Sequence, residues 1–133
     1  MRPSLLGFGV ALVIGIGGAA HADPIQTRQA IMSSVGASAK VAGEMARGNI
    51  AFHPDVAALS LATFTAAAEA FRDYFPEGSE TGAGFIRANE RFAEAARGAK
   101  AAEPADLESF RAAFGSVAEN CRACHDQYRV SRN

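Results

Sequence analysis

The sequence predicts an all-α protein, an antiparallel four-helix bundle, and three observations carry that reading. After residue 22, apolar residues recur at intervals of three and four, with no sustained alternation of the kind a half-buried strand needs. Residues that stop and start helices cut this pattern into four segments. The breaks between segments are short, so consecutive helices must run antiparallel.

The first helix should begin at Asp23-Pro24, an N-cap followed by a first-turn proline. Ile25, Met32, Val35, Ala39 and Ala42 then form one stripe, which ends near Gly48-Asn49. A second helix is expected from about Pro54. Val56, Leu59, Thr63, Ala67, Ala70 and Tyr74 line one face of it, with Leu61, Phe64, Phe71 and Phe75 beside them. So wide an apolar surface implies contacts on two sides, a core and a partner subunit. Pro76-Glu77-Gly78-Ser79 should stop it. The third helix carries Phe85, Ile86, Asn89, Phe92, Ala93 and Ala96 and is expected to fade at Gly98. The fourth begins between Pro104 and Asp106 and holds the most regular pattern of all. Leu107, Phe110, Phe114, Val117, Cys121, Cys124 and Tyr128 alternate spacings of three and four, a seam suited to shallow helix packing.

Residues 1–22 read as a secretory signal peptide rather than as part of the bundle. Arg2 gives the positive start, Leu5 to Gly18 the apolar stretch, and Ala20-His21-Ala22 the small-residue cleavage site, with cleavage after Ala22. The expected location is therefore periplasmic, with residues 23–133 as the folded domain and no membrane span after cleavage. The whole chain has 133 residues, 49% hydrophobic and 20% charged, with a formal net charge of -1. That is enough for one real core. It lacks the basic excess that follows a nucleic-acid backbone, so no nucleic-acid partner is expected.

Two cysteines cannot make a disulfide framework, but their position is informative. Cys121-Arg122-Ala123-Cys124-His125 has the C-x-x-C-H spacing of covalent haem attachment. Two thiols that add across the two vinyl groups of haem must share a face, and positions i and i+3 of a helix do. The histidine beside the second cysteine can then offer its imidazole to iron as the proximal axial ligand. The expected cofactor is one covalent haem c, attached near the C-terminus of the fourth helix. Three other uses of these residues stay open: a thioredoxin-like thiol pair, a structural zinc site with His53 as the further candidate ligand, and a simple disulfide within a helix. The competing function is thus a periplasmic helical metal-binding or thiol redox module that uses Cys121, Cys124 and His125 without haem. No catalytic pair or nucleophile elbow is evident, so no enzyme activity is expected.

At these residues the chain resembles the class II c-type cytochromes, the cytochrome c′ family, including its low-spin cytochrome c556-like members. Cys121 to Arg129 is similar to the family's C-x-x-C-H-x-x-aromatic-basic ending. Leu107 to Val117 resembles the stretch before it, and Arg28-Gln29-Ala30-Ile31-Met32 the family's first-helix signature. The resemblance covers the whole of residues 23–133. It implies an exported monohaem bundle that transfers electrons to a redox partner protein, with binding of small gases such as NO or CO at the distal face. It also implies a homodimer, since relatives pair through their first two helices.

The resemblance further places Met32 on the distal side of the iron, as a sixth ligand or as a group that crowds the pocket. It sets Arg28, with Gln29 adjoining, near a haem propionate, and Arg129 on the proximal side beside His125. For Arg129 a solvated cation in the last helical turn is the competing reading. His53 is expected as a turn or capping residue, and Met45 and Tyr128 as packing residues. One departure stands out. Relatives commonly have a longer connection into the third helix with a Pro-x-x-Trp segment, whereas here Phe75 to Phe85 is short and the chain has no tryptophan. Phe85 is the aromatic available to take that place.

Overall fold

A computed structural model describes residues 23–74 and 80–129. The expected signal peptide, Phe75 and the Pro76–Ser79 stop lie outside the described residues. Four helices follow in order: α1 (Pro24–Arg47), α2 (Pro54–Ala70), α3 (Glu80–Ala101) and α4 (Leu107–Tyr128). There is no strand among the described residues. Each helix packs on its neighbour in sequence, and α4 closes the ring against α1.

The helix ends follow from local chemistry. The Asp23 carboxylate accepts the Ile25 N–H at 2.8 Å and caps α1 ahead of Pro24. At the other end Gly48 is left-handed, with φ 78°, and donates its N–H to the Glu44 and Met45 carbonyls. His53 occupies the N-cap position of α2 in an extended conformation, without a side-chain cap bond. Asp106 and Ser109 form a reciprocal capping box at the start of α4, where Asp106 accepts the Ser109 N–H at 2.8 Å. These bonds hold the Asp106 carboxyl below its usual range.

The core confirms the α4 seam, since Phe110 and Val117 are fully buried. Phe110 stacks on Phe114 with ring centroids 5.7 Å apart and meets Phe52 at the same distance. Met45 is likewise enclosed. At this end Arg111 of α4 donates to the Ala46 carbonyl of α1 at 2.6 Å, satisfying a carbonyl in the last turn of α1.

Four expectations need correction. The core face of α2 is formed by Ala57, Leu61, Phe64 and Ala68, while Val56 and Leu59 of the expected stripe are 36% and 68% exposed. An alanine-rich helix is apolar on every side, so more than one face carries the helical period, and the face that holds Phe64 is the one turned inward. The α-helix also stops at Ala70, and the chain continues as a 3-10 turn, Phe71–Tyr74. Conversely, α3 runs through the exposed Gly98 to Ala101, because Ala99 beyond it is buried. Ile25, at the head of the α1 stripe, is 56% exposed.

Candidate functional site

The helices part at the end of the bundle that holds the start of α1 and the end of α4. A cavity of about 450 Å³ opens there. That volume falls within the range of roughly 300–1,000 Å³ usual for cofactor sites. Met32, Arg28 and Gln29 reach it from α1, and Cys121, Cys124, His125, Tyr128 and Arg129 from the end of α4. All the residues assigned from sequence to a haem site therefore share one cavity, although they are separated by nearly a hundred positions.

Cys121 and Cys124 are free thiols, half-buried and one helical turn apart on the same face of α4. Burial pushes both thiols up from their ordinary value. For Cys121 the neighbouring Cys124 adds to the shift, whereas at Cys124 the Arg91 charge opposes it. A redox-active pair needs the reverse, a depressed thiol pKa in an electropositive setting. Nor do three His, Cys, Asp or Glu side chains converge on one point among the described residues, and His53 sits at the start of α2, outside the cavity wall. Neither the thiol-module nor the zinc reading gains support from this arrangement.

His125 follows the second cysteine and is exposed on the cavity side of the last helical turn. Met32 is half-buried opposite α4. Arg28 donates to the Tyr74 carbonyl at 2.7 Å, and its guanidinium lies 5.7 Å from the centre of the Phe85 ring. It thereby ties the start of α1 to the end of the 3-10 turn. A guanidinium has five N–H donors, so that bond leaves others for a carboxylate. Gln29 and Arg129 are exposed at the rim.

Phe85 does line the cavity. Its ring meets Phe71 edge-on at 6.2 Å and Tyr128 edge-on at 5.6 Å, joining α3 to α4. This contact requires a close approach of backbone. The Tyr128 hydroxyl lies so near Gly84 that a Cβ there would collide with it. Sequence reasoning treated Val35, Phe71, Asn89 and Phe92 as packing residues and passed over Ser33 and Asn120, yet all six line the cavity. For Asn89 a signal was present, a lone amide within an otherwise apolar stripe. Buried to 5% exposure, it donates from Nδ2 to the Ala68 carbonyl at 2.9 Å.

Residues 23–129 match the family described as cytochrome c′. The chain belongs to the cytochrome c′ family. It is 30% identical to cytochrome c′ of Rhodopseudomonas palustris over 135 residues, spanning 92% of each chain. It is equally identical to cytochrome c-556 of Agrobacterium tumefaciens over 122 residues, covering 84% of this chain and all of that one. A solved mutant cytochrome c′ from Rhodopseudomonas palustris superimposes with a TM-score of 0.72 at 29% identity, covering 82% of this chain and 98% of the other. The protein is thus a haem c-type cytochrome of the electron-transport class and not an enzyme. The residues present fit that cofactor: paired thiols on one face, an adjacent imidazole, and an apolar cavity with cationic side chains at its rim.

Proposed function

We propose that this cytochrome c′ family member is an exported, periplasmic electron carrier. In this reading one haem c is held through thioether links to Cys121 and Cys124. His125 is the proximal iron ligand and Met32 faces the iron from the distal side. One observation carries the proposal: two half-buried free thiols, one turn apart, share a single apolar cavity with His125 and Met32. Haem, when bound, supplies an iron centre that takes up and releases one electron and, at an open axial position, holds an uncharged diatomic ligand.

The chain's own residues set the conditions. Val35, Phe71, Phe85 and Phe92 keep water from the cavity and lower its polarity, which disfavours added charge there. Arg28 and Gln29 stand where they can hold a propionate, with Arg28 already fixed by Tyr74 and Phe85. Arg129 at the rim adds a cation on the His125 side. Binding of NO or CO is a second reading, supported by the apolar lining that Met32 shares with these aromatic residues. Pairing of two copies is supported by Val41, Ile50, Val56 and Leu59, large apolar side chains left exposed on α1, α2 and the turn between them. Among the described residues no helix is long and apolar enough to cross a membrane.

The test is the absorption spectrum of the purified protein, oxidised and reduced, with and without CO, after confirming that haem survives denaturation. Covalent haem is expected, and a colourless product from a host with working haem-attachment machinery would refute the assignment. A low-spin spectrum with a methionine-to-iron charge-transfer band, indifferent to CO, identifies Met32 as the sixth ligand. A high-spin spectrum that shifts with CO identifies an open distal position and favours the gas-binding reading.

A further inference from the structure

Asn89 is the polar side chain most deeply enclosed in the cavity wall, at 5% exposure. Its Nδ2 donates to the Ala68 carbonyl at 2.9 Å. A carbonyl only accepts, so this bond fixes which end of the amide points outward from the cavity. The Oδ1 end has no hydrogen-bond donor among the described residues, yet no fully enclosed side-chain oxygen or nitrogen lacks a partner. The acceptor end of Asn89 therefore keeps some exposed surface, on a side chain that lines the cavity.

The partner carbonyl matters as well. Ala68 lies in the last turn of α2, where the helix dipole is negative and carbonyls run out of intrahelical donors. Ala68 C=O, the amide N–H and Oδ1 then form two dipoles in series, each polarising the other, with the negative end turned into an apolar cavity. Buried amides are retained where they are satisfied, and this one is satisfied on one side only.

We propose that Asn89 tunes the reduction potential of the haem, carrying the negative end of α2 into the cavity and favouring ferric over ferrous iron. This rests on the haem assignment above. The acceptor end stabilises the more positive oxidation state, and the surrounding phenylalanines leave that field poorly screened.

The experiment is the midpoint potential of the holoprotein, measured by spectroelectrochemistry for wild type, Asn89→Leu and Asn89→Met, with covalent haem and melting temperature determined for each. Both variants remove the dipole and keep approximate volume, and Met adapts its shape should Leu fail to fold. The expected result is a shift of the ferrous/ferric equilibrium toward ferrous iron by about threefold to tenfold. That corresponds to a rise of roughly 30–60 mV, at 59 mV per tenfold for one electron. A merely structural amide would lower the melting temperature and leave the potential in place, and an unchanged or lowered potential overturns the inference. Wild-type protein without covalent haem would overturn the haem assignment and this inference together, whereas normal haem with an unmoved potential overturns this inference alone.

Discussion

Gly84 offers a substitution whose sign should depend on one oxygen atom. Replacing it with Ala inside α3 removes the backbone-entropy cost of glycine, a gain of about 1 kcal/mol for an interior helical position. Against that gain, the new Cβ would run into the Tyr128 hydroxyl, while the next nearest atom, Cζ of the same ring, would be 3.4 Å away, an ordinary contact. Tyr128 cannot simply swing aside, because its ring is held edge-on against Phe85. Overpacking of this kind costs about 1–3 kcal/mol. Gly84→Ala alone should therefore be destabilising by up to about 2 kcal/mol, or neutral at best. Tyr128→Phe deletes the obstructing atom and keeps the ring. In that background Gly84→Ala should become stabilising by about 1 kcal/mol, a rise of roughly 4–8 °C in melting temperature. Thermal or urea unfolding of the four proteins in the cycle supplies the coupling energy. Additive effects, with Gly84→Ala stabilising in both backgrounds, would refute the close approach of α3 and α4 at the cavity wall.

Phe110→Ala empties a fully buried ring site between Phe52 and Phe114 and should cost about 3–5 kcal/mol, a large share of a typical domain's stability, measurable by urea unfolding. Asp106→Ala should lower the melting temperature at neutral pH by breaking the α4 capping box. The native carboxyl titrates lower than in the unfolded chain, so its contribution is complete above about pH 4 and disappears as pH falls through the lowered value. The difference between variant and wild-type melting temperatures should accordingly close at the acid end of a pH series. His125→Ala should leave haem covalently attached to Cys121 and Cys124 while changing the iron spectrum, and a spectrum matching wild type would exclude His125 as the axial ligand.

What sequence alone could show depended on whether a residue's partner is close in the chain. The C-x-x-C-H run and the α4 seam are local patterns, and the structure sets both Cys121 and Cys124 on the cavity face that their spacing implies. Met32 and Arg28 were reached only through resemblance, because nothing near them in sequence distinguishes a cavity wall from ordinary core. The buried face of α2 was not legible, since alanine on all sides leaves two faces with the helical period, and Leu59 and Leu61 are the same size. Asn89 stood out as a lone amide, but its role, like that of Gly84, was illegible for a different reason. Their meaning lies in Ala68 and Tyr128, partners on other helices that no period within α3 can reveal.

The bond from Arg111 to Ala46 joins α1 and α4 at the end of the bundle remote from the cavity. Together with the Phe52–Phe110 contact it fixes one end of the pair, and the two helices extend from it as two arms, with Met32 on one and His125 on the other. Met32 stands fourteen residues from Ala46, about 21 Å along the helix at 1.5 Å per residue. A change of only about 3° in the angle between the arms moves the cavity walls apart by roughly 1 Å at that distance. The gap between Met32 and the opposite wall thus depends steeply on the angle at which α1 and α4 diverge from the contacts made by Arg111 and Phe110.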